Sequence, residues 1–175
     1  KNSGIDRQSK KSWLDAALQA LASGGVDKVR GESLAKNLGV TKGSFYWHFK
    51  DREQFLDELL SFWAEQSTQT VITNPNYPTD SKERVKAVAE DIVRRDLGKM
   101  DPHIRSWTQY DKRRGKVVAK IDKMRFEFLR DLFLAAGFSI TGASLRAQSL
   151  YRYVLGEQFI SVRESMGQRV QRMQA

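Results

Sequence analysis

The stretch Leu38-Gly-Val-Thr-Lys-Gly-Ser-Phe-Tyr-Trp-His-Phe-Lys50 decides how the chain is read. It sets a tight turn, a short helix, aromatic rings, a histidine and two lysines in thirteen residues. Gly39 stands where a helix-turn-helix needs a left-handed residue, which glycine adopts without a Cβ clash. Val40 is expected to tuck inward. Thr41 reads as an N-cap whose hydroxyl accepts from an orphan N–H. The next helix is expected over about Lys42–His48. On it Phe45 and Phe49, four apart, face a core. Lys42, Ser44, Tyr46 and Trp47 then point elsewhere. A wholly structural alternative, with the rings in the core and the lysines solvated, suits the two phenylalanines and fits Tyr46 and Trp47 badly.

Such a helix can lie in the major groove of DNA, anchored by phosphate contacts and reading base edges. Thr41 and Ser44 can hydrogen-bond bases or phosphates, and Lys42 can reach a guanine or a phosphate. Gly43 lets the backbone approach closely. Tyr46 and Trp47 offer flat faces with polar tips. His48 and Lys50 sit where they can pin the DNA backbone.

Outward from this stretch the pattern is helical throughout. Upstream, Leu14, Ala17, Leu18 and Leu21 recur at helical spacing beside Trp13, and Gly24-Gly25 closes the helix. A second helix is expected around Glu32–Leu38. Residues 1–9 read as a polar lead-in. Downstream, Asp51 with Gln54 forms a capping-box pattern opening a fourth helix to about Thr70. Asn74–Thr79 reads as a linker with two prolines. A fifth helix follows Asp80 and runs to about Leu97. Asp101-Pro102 reads as N-cap and first turn of a sixth. Gly115 is expected to separate it from a seventh, whose stripe is Val117, Ile121, Met124, Phe128 and Leu132. Gly137 ends that helix as a Schellman cap, with Phe138 folding onto Phe133. An eighth helix is expected from about Gly142 to Ser165, leaving Met166–Ala175 as a polar tail. No strand alternation or internal repeat appears. The fold class is all-α: a three-helix DNA-binding head (residues 1–50) with the helix-turn-helix, and a larger helical ligand-binding and dimerisation body (51–175).

Composition agrees without deciding. The chain of 175 residues carries a formal charge of +9, which suits a polyanionic partner. Residues 1–50 hold nine Lys/Arg against four acids, and residues 101–175 hold fourteen against seven. Charge alone therefore does not pick the site. There is no cysteine, which excludes thiolate chemistry and fits a cytoplasmic setting. No apolar run reaches the ~18 residues of a membrane span, and no signal peptide is evident. Two histidines, no phosphate loop and no metal-ligand spacing argue against an enzyme, a metal or a bound cofactor. The alternative class is a basic helical module that docks on a protein or a membrane surface without reading DNA sequence.

From Trp13 to about Leu60 the chain resembles the DNA-binding head of the TetR family of bacterial repressors. The resemblance rests on Trp13-Leu-Asp-Ala-Ala-Leu18, the Gly-Gly break, Ser33-Leu-Ala35, and the run from Leu38 to Glu53. It implies a regulator, most simply a ligand-responsive repressor, that binds a palindromic double-stranded operator as a homodimer. Thr41, Lys42, Ser44, Tyr46, Trp47, His48 and Lys50 take the family's DNA-contact positions, with Gly43 between them. One departure concerns the second helix, where many members place Arg or Thr toward DNA and this chain has Glu32. Contact there passes to Arg30 or Ser33, or Glu32 accepts from a cytosine amine. The resemblance also implies a dimer through the last two long helices, with Arg152, Leu155, Gly156 and Phe159 as candidate interface residues. The eighth helix has more apolar circumference than one core contact needs. It further implies a pocket for a small-molecule effector in the body. Phe62, Trp63, Trp107, Tyr110, Phe126 and Tyr151 are its candidate lining, with His103 at the mouth, although rings at helical spacing are more often plain core.

Overall fold

A computed structural model describes residues 8–162 and 164–174. All of their regular structure is helical. The lead-in of residues 1–7 lies outside the described residues, as do Arg163 and Ala175.

Helix α1 (Lys10–Gly24) starts where the Ser9 hydroxyl accepts from Ser12 N–H, and stops at Gly25. After a 3₁₀ turn, α2 (Gly31–Asn37) leads to Gly39, whose φ of 69° makes the sharp turn expected of it. The following segment, Lys42–Trp47, is a 3₁₀ helix and is called here the recognition segment. Thr41 occupies its N-cap position, but its hydroxyl meets the Ser44 hydroxyl at 3.3 Å and caps no N–H. A Cβ on Gly31 would lie 3.2 Å from the Phe45 ring, so glycine there lets the recognition segment press against the start of α2.

Helix α3 (Arg52–Ala64) begins at Asp51, whose carboxylate accepts from Gln54 N–H at 2.8 Å. The Gln54 side chain accepts from Lys50 N–H, one residue before the cap. The rod then continues through a π-helical segment, Glu65–Gln69, into α4 (Thr70–Ile72). Helices α5 (Ser81–Arg94), α6 (Asp101–Thr108), α7 (Lys112–Ala135) and α8 (Ile140–Gly156) complete the main body.

Four expectations for the body change. Asp101 is the first residue of α6 rather than its cap, and its carboxylate is fully buried against two arginines. The break before α7 falls at Asp111, which caps Arg113 and Arg114 N–H, so Gly115 lies inside the helix. The buried stripe of α7 is Arg114, Val118, Ile121, Leu129 and Leu132, while Val117 is exposed. Finally, α8 stops at Gly156. The supposed tail forms α9 (Met166–Gln174), which packs on α5 with Val170 and Arg169 buried. The Schellman end of α7 is as read: Phe138 N–H bonds Phe133 C=O, Gly137 N–H bonds Leu134 C=O, and the two phenyl rings meet edge to face.

One core runs from the head into the rod. Trp13, Leu34, Phe45, Phe49, Phe55 and Leu59 pack together and continue through Trp63 to Ile104 of α6 and Ile121 of α7. A second cluster, around Val88, Leu129, Leu132 and Ala147, joins α5, α7 and α8. No helix among the described residues is long and apolar enough to cross a membrane.

Candidate nucleic-acid interface and the body behind it

The recognition segment is held by its two phenylalanines. Phe45 packs edge to face on Trp13 and Phe55, and Phe49 lies 4.6 Å from the Phe55 ring. Both are buried. With that face fixed, Tyr46 (62% exposed) and Trp47 (70% exposed) present their rings outward. Thr41, Lys42, Gly43 and Lys50 are exposed as well, and so are Arg30 and Ser33 on and before α2. Arg30, Lys42 and Tyr46 border one surface depression of the head, and Arg30 and Ser33 border another.

Two candidates sit differently from expectation. Ser44 is buried, its hydroxyl beside that of Thr41. His48 is half-buried, and its Nε2 bonds the Gln8 carbonyl at 2.9 Å. A carbonyl only accepts, so that nitrogen carries the hydrogen. The ring thus ties the start of the chain to the recognition segment. Arg30 is partly committed too, its Nε donating to Asp27 C=O at 2.8 Å.

Glu32 forms an ion pair with Lys42 across the turn. The Lys42 ammonium, through its hydrogen bond first and its charge second, holds the Glu32 carboxyl below the usual range. Glu32 in turn raises Lys42. Both groups are solvent-exposed, so the pair is an easily exchanged surface contact.

Behind the head, two arginines at the start of α7 grip the start of α3. Arg113 makes a bidentate pair with Asp57 at 2.6 and 2.8 Å. Arg114 is buried and donates to Asp57, Glu53 and Asp111 while lying over the Trp107 ring. The Arg113 bond, followed by those of Arg114, lowers the Asp57 pKa below the ordinary carboxylate value.

The candidate effector lining is mostly placed elsewhere. Phe62 and Trp63 belong to the core shared with the head. Trp63 also stacks under Arg125, and Trp107 under Arg114. Tyr110 lies beyond α6 and is 90% exposed. Phe126 packs against the second core, and His103 is half-buried on α6, away from the cavity wall. Only Tyr151 of the seven lines the body's cavity.

That cavity has a polar end that sequence reading missed. Arg125 of α7 donates to Thr68 Oγ1 and Ser67 Oγ, both at 2.8 Å, and to Asp101 at 2.9 Å. Arg105 binds Asp122 and Asp101, and the Tyr151 hydroxyl donates to Asp122 at 2.6 Å. Burial, reinforced by that bond, pushes the Tyr151 pKa up to about 12. The signal in the sequence was Arg125 itself, a charge spaced four residues from both Ile121 and Leu129 on a buried face. Among the described residues, no group of three or more His, Asp or Glu could hold a metal ion.

Of the four candidate dimer residues, Arg152 and Phe159 are exposed, while Leu155 and Gly156 are half-buried. Phe159 falls in the turn after α8 and not on a continuing helix.

Residues 14–59 match the family model for bacterial regulatory proteins of the tetR family. Across 53 residues of the head, the chain is 38% identical to a class D tetracycline repressor protein from Escherichia coli and 36% to the HTH-type transcriptional regulator AcrR of Shigella flexneri. Its head is thus similar to the DNA-binding heads of tetR-family regulators. These matches cover 30% of the chain, and the chain spans only about a quarter of the length of those curated relatives (24% and 25%). The whole fold is shared more widely. A TetR/AcrR-family regulator from Thermobifida fusca superposes with a TM-score of 0.66 over 93% of this chain and 92% of that one, at 16% identity. A regulator from Aquifex aeolicus superposes with a TM-score of 0.62 over 94% of each chain, at 15% identity. The helical body of this chain therefore shares its architecture with those proteins at low sequence identity.

Proposed function

We propose that this protein is a DNA-binding transcriptional regulator, acting in the cytoplasm as a homodimeric, effector-responsive repressor. The observation that carries the reading is the division of rings on the recognition segment. Phe45 and Phe49 are buried, whereas Tyr46 and Trp47 are held outward beside Lys42 by the same short helix. Rings displayed at fixed positions next to cations suit the sugar–phosphate wall and base edges of a major groove. Thr41, Lys42, Gly43, Tyr46, Trp47 and Lys50 are assigned as contacts, with Arg30 and Ser33 at the flank. His48 acts by positioning, and Ser44 supports the segment from inside.

Residues 1–50 are assigned to DNA binding and 51–175 to effector binding and dimerisation. The dimer is proposed through α7 and α8. Exposed apolar Ile140 and Leu145 stand on α8, and Arg152 lies one heptad beyond Leu145 on the same face. Two-fold symmetry would place recognition segments about one helical turn apart, ~34–36 Å, on a palindrome. An effector would act through differential affinity for DNA-competent and DNA-incompetent dimers.

Selection of bound duplexes from random DNA tests the reading. The expected outcome is an enriched palindrome whose affinity falls steeply with salt, as phosphate neutralisation requires. Enrichment of no site would sink it.

A further inference from the structure

The cavity in the body is about 50 Å³. Binding pockets for drug-sized ligands run to roughly 300–1,000 Å³. An effector entering here must therefore move a wall. The wall nearest the head is the π-helical segment Glu65–Gln69, which carries Ser67 and Thr68 into the cavity. Single π-turns inside α-helices are rare and concentrate at functional sites.

Two arginines hold this turn from different helices. Arg125 of α7 binds the Ser67 and Thr68 hydroxyls. Arg95, just past α5, donates to the Gln66 carbonyl at 3.3 Å and to Thr70 Oγ1 at 2.9 Å. Arg95 is itself fixed by Asp91, which also accepts from the Tyr77 hydroxyl. The side chains that hold the π-turn at Arg125 are thus the same ones that form the polar end of the cavity.

Charge selects the ligand class. Arg125 is the one charged side chain among the described residues lining the cavity, the rest being apolar or hydroxylic apart from Gly98. Its charge is already met by the fully buried Asp101, and Arg105 is likewise met by Asp122. Two cations and two anions cancel in place. An added anion or cation would leave a net buried charge, which is costly. A hydroxyl or carbonyl would not, and it can take the Arg125 donors now used by Ser67 and Thr68.

We propose that this cavity binds an uncharged, mainly apolar small molecule with one hydroxyl or carbonyl group, and that this group replaces Ser67 and Thr68 at Arg125 as the π-turn yields. The turn lies on the rod that begins at Asp51, directly after the recognition segment, so its repacking alters how the head is carried. The proposal rests on reading the body as the effector-binding part.

Three probes of equal chain length test it: 1-octanol, octanoate and octylammonium, titrated calorimetrically into the full chain at pH 7. The expected result is that 1-octanol binds at least tenfold tighter than either ion. Its binding is lost in Ile72→Trp, which fills the half-buried side of the cavity, and in Leu129→Phe, which fills the buried side. On a DNA site taken from the random selection, 1-octanol shifts the wild-type affinity at least fivefold. Equal or tighter binding of an ion, no binding by any probe, or 1-octanol binding that survives both fillings overturns the ligand class. Binding without a change in DNA affinity overturns the role of the π-turn. If no DNA site can be selected, the reading of the head fails, and the calorimetry still decides the ligand class.

Discussion

Residues on the recognition segment divide by the side on which the 3₁₀ winding places them. Lys42 and Trp47 are exposed, and their loss should affect binding more than folding. Lys42→Ala is expected to weaken DNA binding across all sequences and to reduce the salt slope by about one. Trp47→Ala should weaken binding with the thermal midpoint nearly unchanged. Fluorescence anisotropy across a salt series, paired with thermal melts, checks both; unchanged affinity in the double variant would remove these residues from the interface. Ser44→Ala belongs to a different class. Its hydroxyl is buried against Thr41, so the change should cost about 1 kcal/mol in urea unfolding. Gly39→Ala should cost at least about 1 kcal/mol, because alanine is strained at a φ of 69°. Phe45, Phe49 and Gly39 could be placed from spacing and turn chemistry alone. Ser44 could not, because its spacing from Phe45 and Phe49 puts it off their face and only the surrounding packing buries it.

At the scale of elements, the rod and its clamps matter most. Asp51→Ala removes the cap on α3 and should cost about 1 kcal/mol, together with faster amide exchange in its first turn. Asp101→Ala should be worse. It leaves the Arg125 guanidinium without its buried anion, while Arg105 keeps Asp122, an effect of about 3–5 kcal/mol, which chemical unfolding would measure. A loss under about 1 kcal/mol would mean that water replaces the carboxylate. The caps at Asp51, Asp80 and Ser139 are local signals, and two of them were legible. The π-turn was not. It depends on Arg95 and Arg125, which reach it from 29 and 58 residues away in sequence. The length of α8 was misread for a related reason. Apolar residues continue past Gly156 in the sequence, but there the chain turns so that α9 can dock on α5.

For the whole molecule, the join between head and body has a pH dependence. The folded-state pKa of Asp57 is depressed by Arg113 and Arg114. A depressed carboxylate contributes stability above its unfolded value, near 3.8, and that contribution is lost as pH falls through the folded value. Asp122, where burial is outweighed by bonds from Arg105 and Tyr151, is depressed as well and acts in the same direction. Stability should therefore decline below about pH 4, and Asp57→Asn should flatten that limb in pH-dependent urea melts. An acid limb equally steep in the variant would place the titration elsewhere.

The thirteen residues from Leu38 to Lys50 by themselves determined the helix-turn-helix and the resemblance of the head to tetR-family regulators. Their turn glycine, core phenylalanines and displayed rings are set by local geometry within a few helical turns. The all-helical class followed from periodicity in the same way. Which aromatics face a cavity, which arginines are buried, and where the rod departs from α-helical winding were decided only in the tertiary structure. The physical reason is that a ring or a guanidinium at helical spacing fits equally well against a core, a partner charge or a ligand. Only the helices packed opposite it select among these.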